Sequence, residues 1–108
     1  MPSYHKLVRD RIPEIIEETG KRCEITRLDQ NEFEYYAKRK LKEELDELHE
    51  AGNEVHAVEE LADMLELIYC LSEHYGYSTS ELETIRQEKA KRRGSFQEKL
   101  FLEKVEEK

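Results

Sequence analysis

The chain has no tryptophan, only two cysteines, four glycines and two prolines in 108 residues, and apolar side chains make up only 37% of it. Each scarcity excludes something. Cys23 and Cys70 lie in different segments, with no CxxC partner and no histidine at zinc-finger spacing. Neither a disulfide framework nor a thiolate zinc site can be built from them alone, and both read as buried thiols. With so few glycines and prolines there are no repeats, Gly/Ser linkers or low-complexity tracts, and the expectation is one domain spanning residues 1–108. No apolar run approaches the roughly 20 residues of a membrane helix, and residues 1–20 carry no apolar signal core. A soluble, cytoplasmic protein with no membrane partner is expected. A chain this short buries only about two-thirds of the surface it exposes unfolded. With so little apolar material, part of its core is expected to come from another subunit.

What the chain has in quantity is charge. Charged residues make up 41% of it, with 26 acidic against 18 basic and a formal net charge of −8. An acidic total argues against stable nucleic-acid binding, because that affinity comes from clustered Lys and Arg. Such charge density would indicate disorder if the apolar residues were scattered, but they are periodic. Residues 11–19 read as a short helix with Pro13 in its first turn and Gly20 as its stop. Lys21 to Leu28 reads as a short strand or an extended connector. Asp29 with Glu32 is a capping-box start, followed by Phe33, Tyr36, Ala37, Leu41, Leu45 and Leu48 at helical spacing up to Gly52. Asn53 caps a second long helix with Val55, Val58, Leu61, Leu65, Ile68 and Leu71 as its expected inner face, ending near Gly76. Ser78 with Glu81, or Ser80 with Glu83, opens a third, which carries Leu82 and Ile85 and runs to Gly94. The tail, with Phe96, Leu100, Phe101, Leu102 and Val105, is expected to pack over the helices. Two long helices joined at Gly52-Asn53 predict an all-α fold, an antiparallel helical bundle completed by oligomerisation.

The acids fall in a pattern. At about 100° per residue, Glu44 and Glu47 are about 60° apart, and the stripe Leu41/Leu45/Leu48 centres at roughly +65° from Glu44. From Glu60, Asp63 is again about 60° away and the stripe Leu61/Met64/Leu65/Ile68 centres at roughly +75°. Two carboxylate pairs therefore border the buried faces of neighbouring helices at matched positions. Four such groups repel unless protonated or neutralised. An oxygen-only donor set suits Mg²⁺, with Mn²⁺ as the alternative. The competing reading is a solvated acidic face, with Arg39, Lys40 and Lys42 as intrahelical partners. The cations are also uneven. His5, Lys6, Arg9 and Arg11 open the chain, and Arg86, Lys89, Lys91, Arg92 and Arg93 close the last helix. Lys89 and Arg93 are four residues apart and share a face, where they could hold a polyphosphate, although basic residues also complement a helix C-terminus.

Glu44-x-x-Glu47 followed by Glu60-x-x-Asp63 resembles the metal-binding signature of the MazG-like all-α NTP pyrophosphohydrolases. Residues 40–48 (KLKEELDEL) and 59–65 (EELADML) resemble the family's two helical blocks, and Lys89-x-x-x-Arg93 its phosphate-binding pair. Residues 5–13 (HKLVRDRIP) and 92–96 (RRGSF) resemble a house-cleaning subgroup described as phosphoribosyl-ATP pyrophosphohydrolase-like, so the resemblance covers about residues 5–102. It implies Mg²⁺-dependent hydrolysis of a nucleoside triphosphate to monophosphate and pyrophosphate by a homodimer or homotetramer. Glu44, Glu47, Glu60 and Asp63 would hold the metal, and Glu43 or Glu47 would act as catalytic base. Lys89 and Arg93, with Lys6, Arg9 and Arg11, would bind phosphate. Phosphoribosyl-ATP is the alternative substrate, but Asp63 is followed by Met-Leu-Glu-Leu-Ile-Tyr where that enzyme carries a Tyr-His after the second block. A non-catalytic helical interaction module is the third reading. Tyr35, Tyr36, Tyr69 and Phe96 are candidates either for base contact or for the core.

Overall fold

Hydrogen bonds at the helix ends decide where this chain folds. In the computed structural model, which describes residues 5–107, the order is α1 (Ile12–Glu18), α2 (Gln30–Glu50), α3 (Glu54–His74) and α4 (Thr79–Arg93). No strand occurs among the described residues, so Lys21–Leu28 is the extended connector of the two alternatives. Residues 1–4 and 108 of the expected domain lie outside the description. Pro13 sits in the first turn of α1, and the helix stops at Gly20, whose φ of +88° a side chain would oppose. The Asp29 side chain accepts from the Glu32 amide at 2.8 Å, while Glu32 accepts from the Asp29 amide at 3.1 Å, a complete capping box. Asn53 accepts from the His56 amide at 2.9 Å and starts α3. Of the two candidate starts for α4, Ser78 with Glu81 is used: Ser78 accepts from the Glu81 amide at 3.1 Å, and Glu81 accepts from the Ser78 amide at 2.9 Å.

Helices α2 and α3 form an antiparallel hairpin, and α4 touches only α3. At the open end, the Phe33 and His74 rings lie 5.5 Å apart, and the Tyr75 hydroxyl donates to Glu34 at 2.6 Å. Lys38 reaches the same carboxylate at 3.0 Å. The buried and half-buried residues of α2 are Phe33, Tyr36, Ala37, Lys40, Leu41, Glu43, Glu44 and Leu48, with Glu34 at the open end; Ala37 is fully buried. Those of α3 include Ala57, Glu60, Met64, Leu67, Leu71 and His74, at alternating spacings of three and four. That spacing is a knobs-into-holes seam.

This seam is not the one periodicity pointed to. Val55, Val58, Leu61, Leu65 and Ile68, the expected inner face of α3, are 39% to 68% exposed, and of that set only Leu71 is buried. Helix α3 has two apolar seams about 100° apart. The one that meets α2 includes Glu60, so hydropathy alone ranks it second. The tail is a second correction. Phe96, Leu100, Phe101, Leu102 and Val105 are 77% to 93% exposed and cover nothing on this chain.

The outcome is an open molecule. Its radius of gyration is 18.5 Å, against about 13 Å for a closed domain of this length. Its accessible surface is 10388 Å², against about 6,300 Å² for a monomer of this mass. No helix among the described residues is long and apolar enough to cross a membrane. Cys23 and Cys70 are free and half-buried rather than fully buried.

Candidate metal centre

Three of the four expected metal ligands meet between α2 and α3. One carboxylate oxygen from each of Glu44, Glu47 and Glu60 lies within 4.8 Å of the others. The i, i+3 spacing puts Glu44 and Glu47 on one side of α2, and the antiparallel register brings Glu60 across from them. Burial grades through the group: Glu44 is only 5% exposed, Glu60 is half-buried and Glu47 is open to solvent. Glu44 belongs to the seam itself, deeper than the margin position its angle predicts, because small Ala37 and half-buried Lys40 on the preceding turns let the helices close over it.

The electrostatics are unfavourable without a cation. The Glu44 carboxyl is pushed up to about 8, first by burial, then by the hydrogen-bonding contact with Glu60, then by the charges of Glu47, Asp63 and Glu60. The Glu47 carboxyl is also raised, chiefly through its contact with Glu60 and then by desolvation. One oxygen each of Glu44 and Glu60 is buried with no hydrogen-bond partner. Buried oxygens in that condition are rare in native proteins and expensive to leave unpaired. The nearest cation to Glu44 on α2 is Lys40, 3.8 Å away and 3.6 Å from Glu43. Lys40 is thus an intrahelical partner, as the solvated-face reading had it, but its one amine pairs with two acids, and neither Glu47 nor Glu60 forms an ion pair among the described residues. An all-oxygen group with orphaned buried oxygens fits a hard divalent cation.

No protein family, curated protein or solved structure matches this chain. Its chemistry is therefore read from its own residues.

Asp63, the fourth expected ligand, lies outside the group of three and accepts a hydrogen bond from the Arg9 guanidinium at 2.6 Å. That bond, helped by the negative charges of Asp63, Glu66 and Glu44, raises the Arg9 pKa. Arg9 is therefore drawn to the acidic face of the hairpin by a segment remote in sequence. The other basic residues are dispersed. Arg11 pairs locally with Glu14 at 3.2 Å. Lys6 lines a shallow, half-open groove with His5, Leu7, Tyr36, Arg39, Lys40 and Glu43, with room for about one water. Lys89 and Arg93 are exposed on α4, which does not touch α2, and neither forms an ion pair within the described chain. Glu43 borders the group without joining it. Of the aromatic candidates, Tyr35, Tyr69 and Phe96 are exposed rather than core, and Tyr36 is half-buried. Sequence reasoning missed the groove beside Glu43. Its one available signal was Lys40, four residues before Glu44, in a register that lets the amine reach back into the acids.

Proposed function

We propose that this chain is a Mg²⁺-dependent nucleoside triphosphate pyrophosphohydrolase that cleaves the α–β phosphoanhydride and works as a homo-oligomer, a homodimer or homotetramer. The observation that carries the reading is Glu44, a buried carboxylate with an orphaned oxygen, grouped with Glu47 and Glu60 between facing helices. Ordinary solvated acids have no reason to be there. The resemblance of residues 40–48, 59–65 and 89–93 to the MazG-like enzymes supplies the substrate class.

Glu44, Glu47 and Glu60 would hold the ion, with Asp63 joining when Arg9 turns to substrate. Bound there, Mg²⁺ supplies charge neutralisation and Lewis acidity for a phosphoanhydride. Glu47, the solvent-facing member, or the neighbouring Glu43 takes a proton from the attacking water as its oxygen bonds to the α-phosphorus. The bond from that phosphorus to the bridging oxygen breaks, and pyrophosphate leaves with the electron pair. Arg9, bonded to Asp63 beside the three acids, faces the developing negative charge, with Lys6, Arg11, Lys89 and Arg93 as further phosphate contacts. In the working complex, Lys89 and Arg93 reach phosphate through assembly or a shift of α4.

A nucleotide panel with Mg²⁺ or Mn²⁺, reading pyrophosphate against phosphate and including phosphoribosyl-ATP, tests the reading. Glu60→Gln and Asp63→Asn are each expected to abolish metal-dependent pyrophosphate release while far-UV helicity is kept. Unchanged turnover in both would refute the site. The interaction-module alternative draws on the exposed apolar face of α3, and it predicts no Mg²⁺-dependent rise in melting temperature.

A further inference from the structure

The second seam of α3 has a spacing of its own. Val58, Leu61, Leu65 and Ile68 are spaced three, four and three residues apart, the repeat of a coiled-coil contact line, which ends where Ser72 is buried under the turn after α3. All four apolar members are substantially exposed, and Val55 and Tyr69 widen the same face. Between Val55 and Ser72 the acids of α3 are Glu59, Glu60, Asp63 and Glu66, and none falls on this line. In a chain of net charge −8, that is a face cleared of the charge that would repel a like surface.

The spacing is also symmetric in sequence. Val58 and Ile68 lie equally far on either side of residue 63, and so do Leu61 and Leu65. A helix with this pattern is complementary to itself when a second copy runs antiparallel across a two-fold axis, because each contact of i with j is matched by one of j with i. The whole chain, this face and the exposed tail together, has surface to spare for a partner. The chain exposes 10388 Å², about 4,000 Å² more than a monomer of its mass. Obligate homodimers bury roughly 2,000–5,000 Å² in total over two chains.

We infer that two copies of this chain pair through the outer seams of their α3 helices, antiparallel, with Leu61 of each copy against Leu65 of the other near a two-fold axis at residue 63. The inference rests on the homo-oligomeric reading above and gives it a surface. It also accounts for the order of the two seams on α3: one serves the hairpin and its acids, the other serves assembly, so the helix carries both at once. Glu59, Glu60, Asp63 and Glu66 lie off the contact line, and the one acid of α3 that continues it, Glu54, sits at its outer end, nine residues from the two-fold axis.

Light scattering on the full chain at about 20 µM should give an even multiple of the 13.0 kDa chain mass. Leu61→Lys with Leu65→Lys should halve that mass while the helical signal is retained. A second measurement does not depend on so disruptive a change. In a Cys23→Ser, Cys70→Ser background, chains carrying Leu61→Cys are mixed with chains carrying Leu65→Cys and mildly oxidised. Cross-linking in the mixture should exceed that of either chain alone at least fivefold. A monomeric wild type overturns both the homo-oligomeric reading and this surface. A wild-type oligomer whose mass ignores the lysine substitutions overturns the surface alone, as does cross-linking no greater in the mixture than in the single-variant controls.

Discussion

Replacing Glu44 by Gln should make the metal-free protein more stable at neutral pH and remove its response to Mg²⁺. The Glu44 carboxyl is raised from 4.5 to about 8, so the folded state holds a proton that the unfolded chain releases. For an acid shifted upward, the native state is favoured below the unfolded value, and that advantage is lost as pH rises through the folded value. At about 1.36 kcal/mol for each pH unit between the two values, the full swing approaches about 5 kcal/mol, of which about 2.5 kcal/mol falls between pH 5 and pH 7. Lys40, 3.8 Å from the carboxylate, works against this and makes the figure a ceiling. In the window above about pH 5, Glu34, Glu81 and Glu83 are silent, since all three are shifted down, while Glu47, raised through its contact with Glu60, works in the same direction as Glu44. For the three lowered acids the sign is the reverse. Their contribution is present above the ordinary carboxylate range and is lost only as pH falls below it. Gln fills nearly the same volume and does not titrate. The assay is thermal unfolding in chelator at fixed protein concentration, from pH 5 to pH 9, for both proteins. Wild type should lose ground against the variant as pH rises, by on the order of 10 °C in Tm by pH 7 for a domain of this size. Added Mg²⁺ should raise the wild-type Tm and leave the variant's unchanged. Parallel Tm profiles for the two proteins would refute the account of Glu44 as a buried, uncompensated acid.

Arg9→Met removes an ion pair whose two side chains are 58% and 38% exposed. Stability in thermal melts should change by less than about 1 kcal/mol, whereas pyrophosphate release should fall at least tenfold if Arg9 serves the phosphates; a loss of stability without loss of turnover would reverse that assignment. Ala37→Leu places a large side chain where the seam leaves no exposed surface. Overpacking there should cost about 1–3 kcal/mol in denaturant unfolding, and an undiminished midpoint would mean that the helices do not meet at Ala37.

Helix boundaries were legible in the sequence because caps are local. Asp29 with Glu32, Asn53, and Ser78 with Glu81 each satisfy amide groups within four residues, so no tertiary information is needed to read them. Which face of α3 turns inward was not legible. A helix with two apolar seams offers two valid periodic answers, and the one chosen by the fold carries Glu60, a residue that hydropathy assigns to solvent. The same blindness affected Glu44, placed by its angle at the margin and found in the seam. Of the site, the three grouped carboxylates were readable from paired spacing on successive helices. The bond from Arg9 to Asp63 was not, because it joins segments 54 positions apart. The tail misled for a related reason: an apolar segment states that it needs cover, without stating whose.

The hairpin that carries the acids is fastened at both ends. Ala51, Gly52 and Asn53 tie one end covalently, and Tyr75, His74, Phe33, Glu34 and Lys38 clasp the other. Mutual repulsion among Glu44, Glu47 and Glu60 therefore has no free end from which to unzip the helices. Held in such a frame, the site opens on the side of the hairpin where Glu47 meets solvent. An ion can arrive and depart there broadside, with Glu47 as the first carboxylate it meets and Glu44 the last, and neither fastening needs to open.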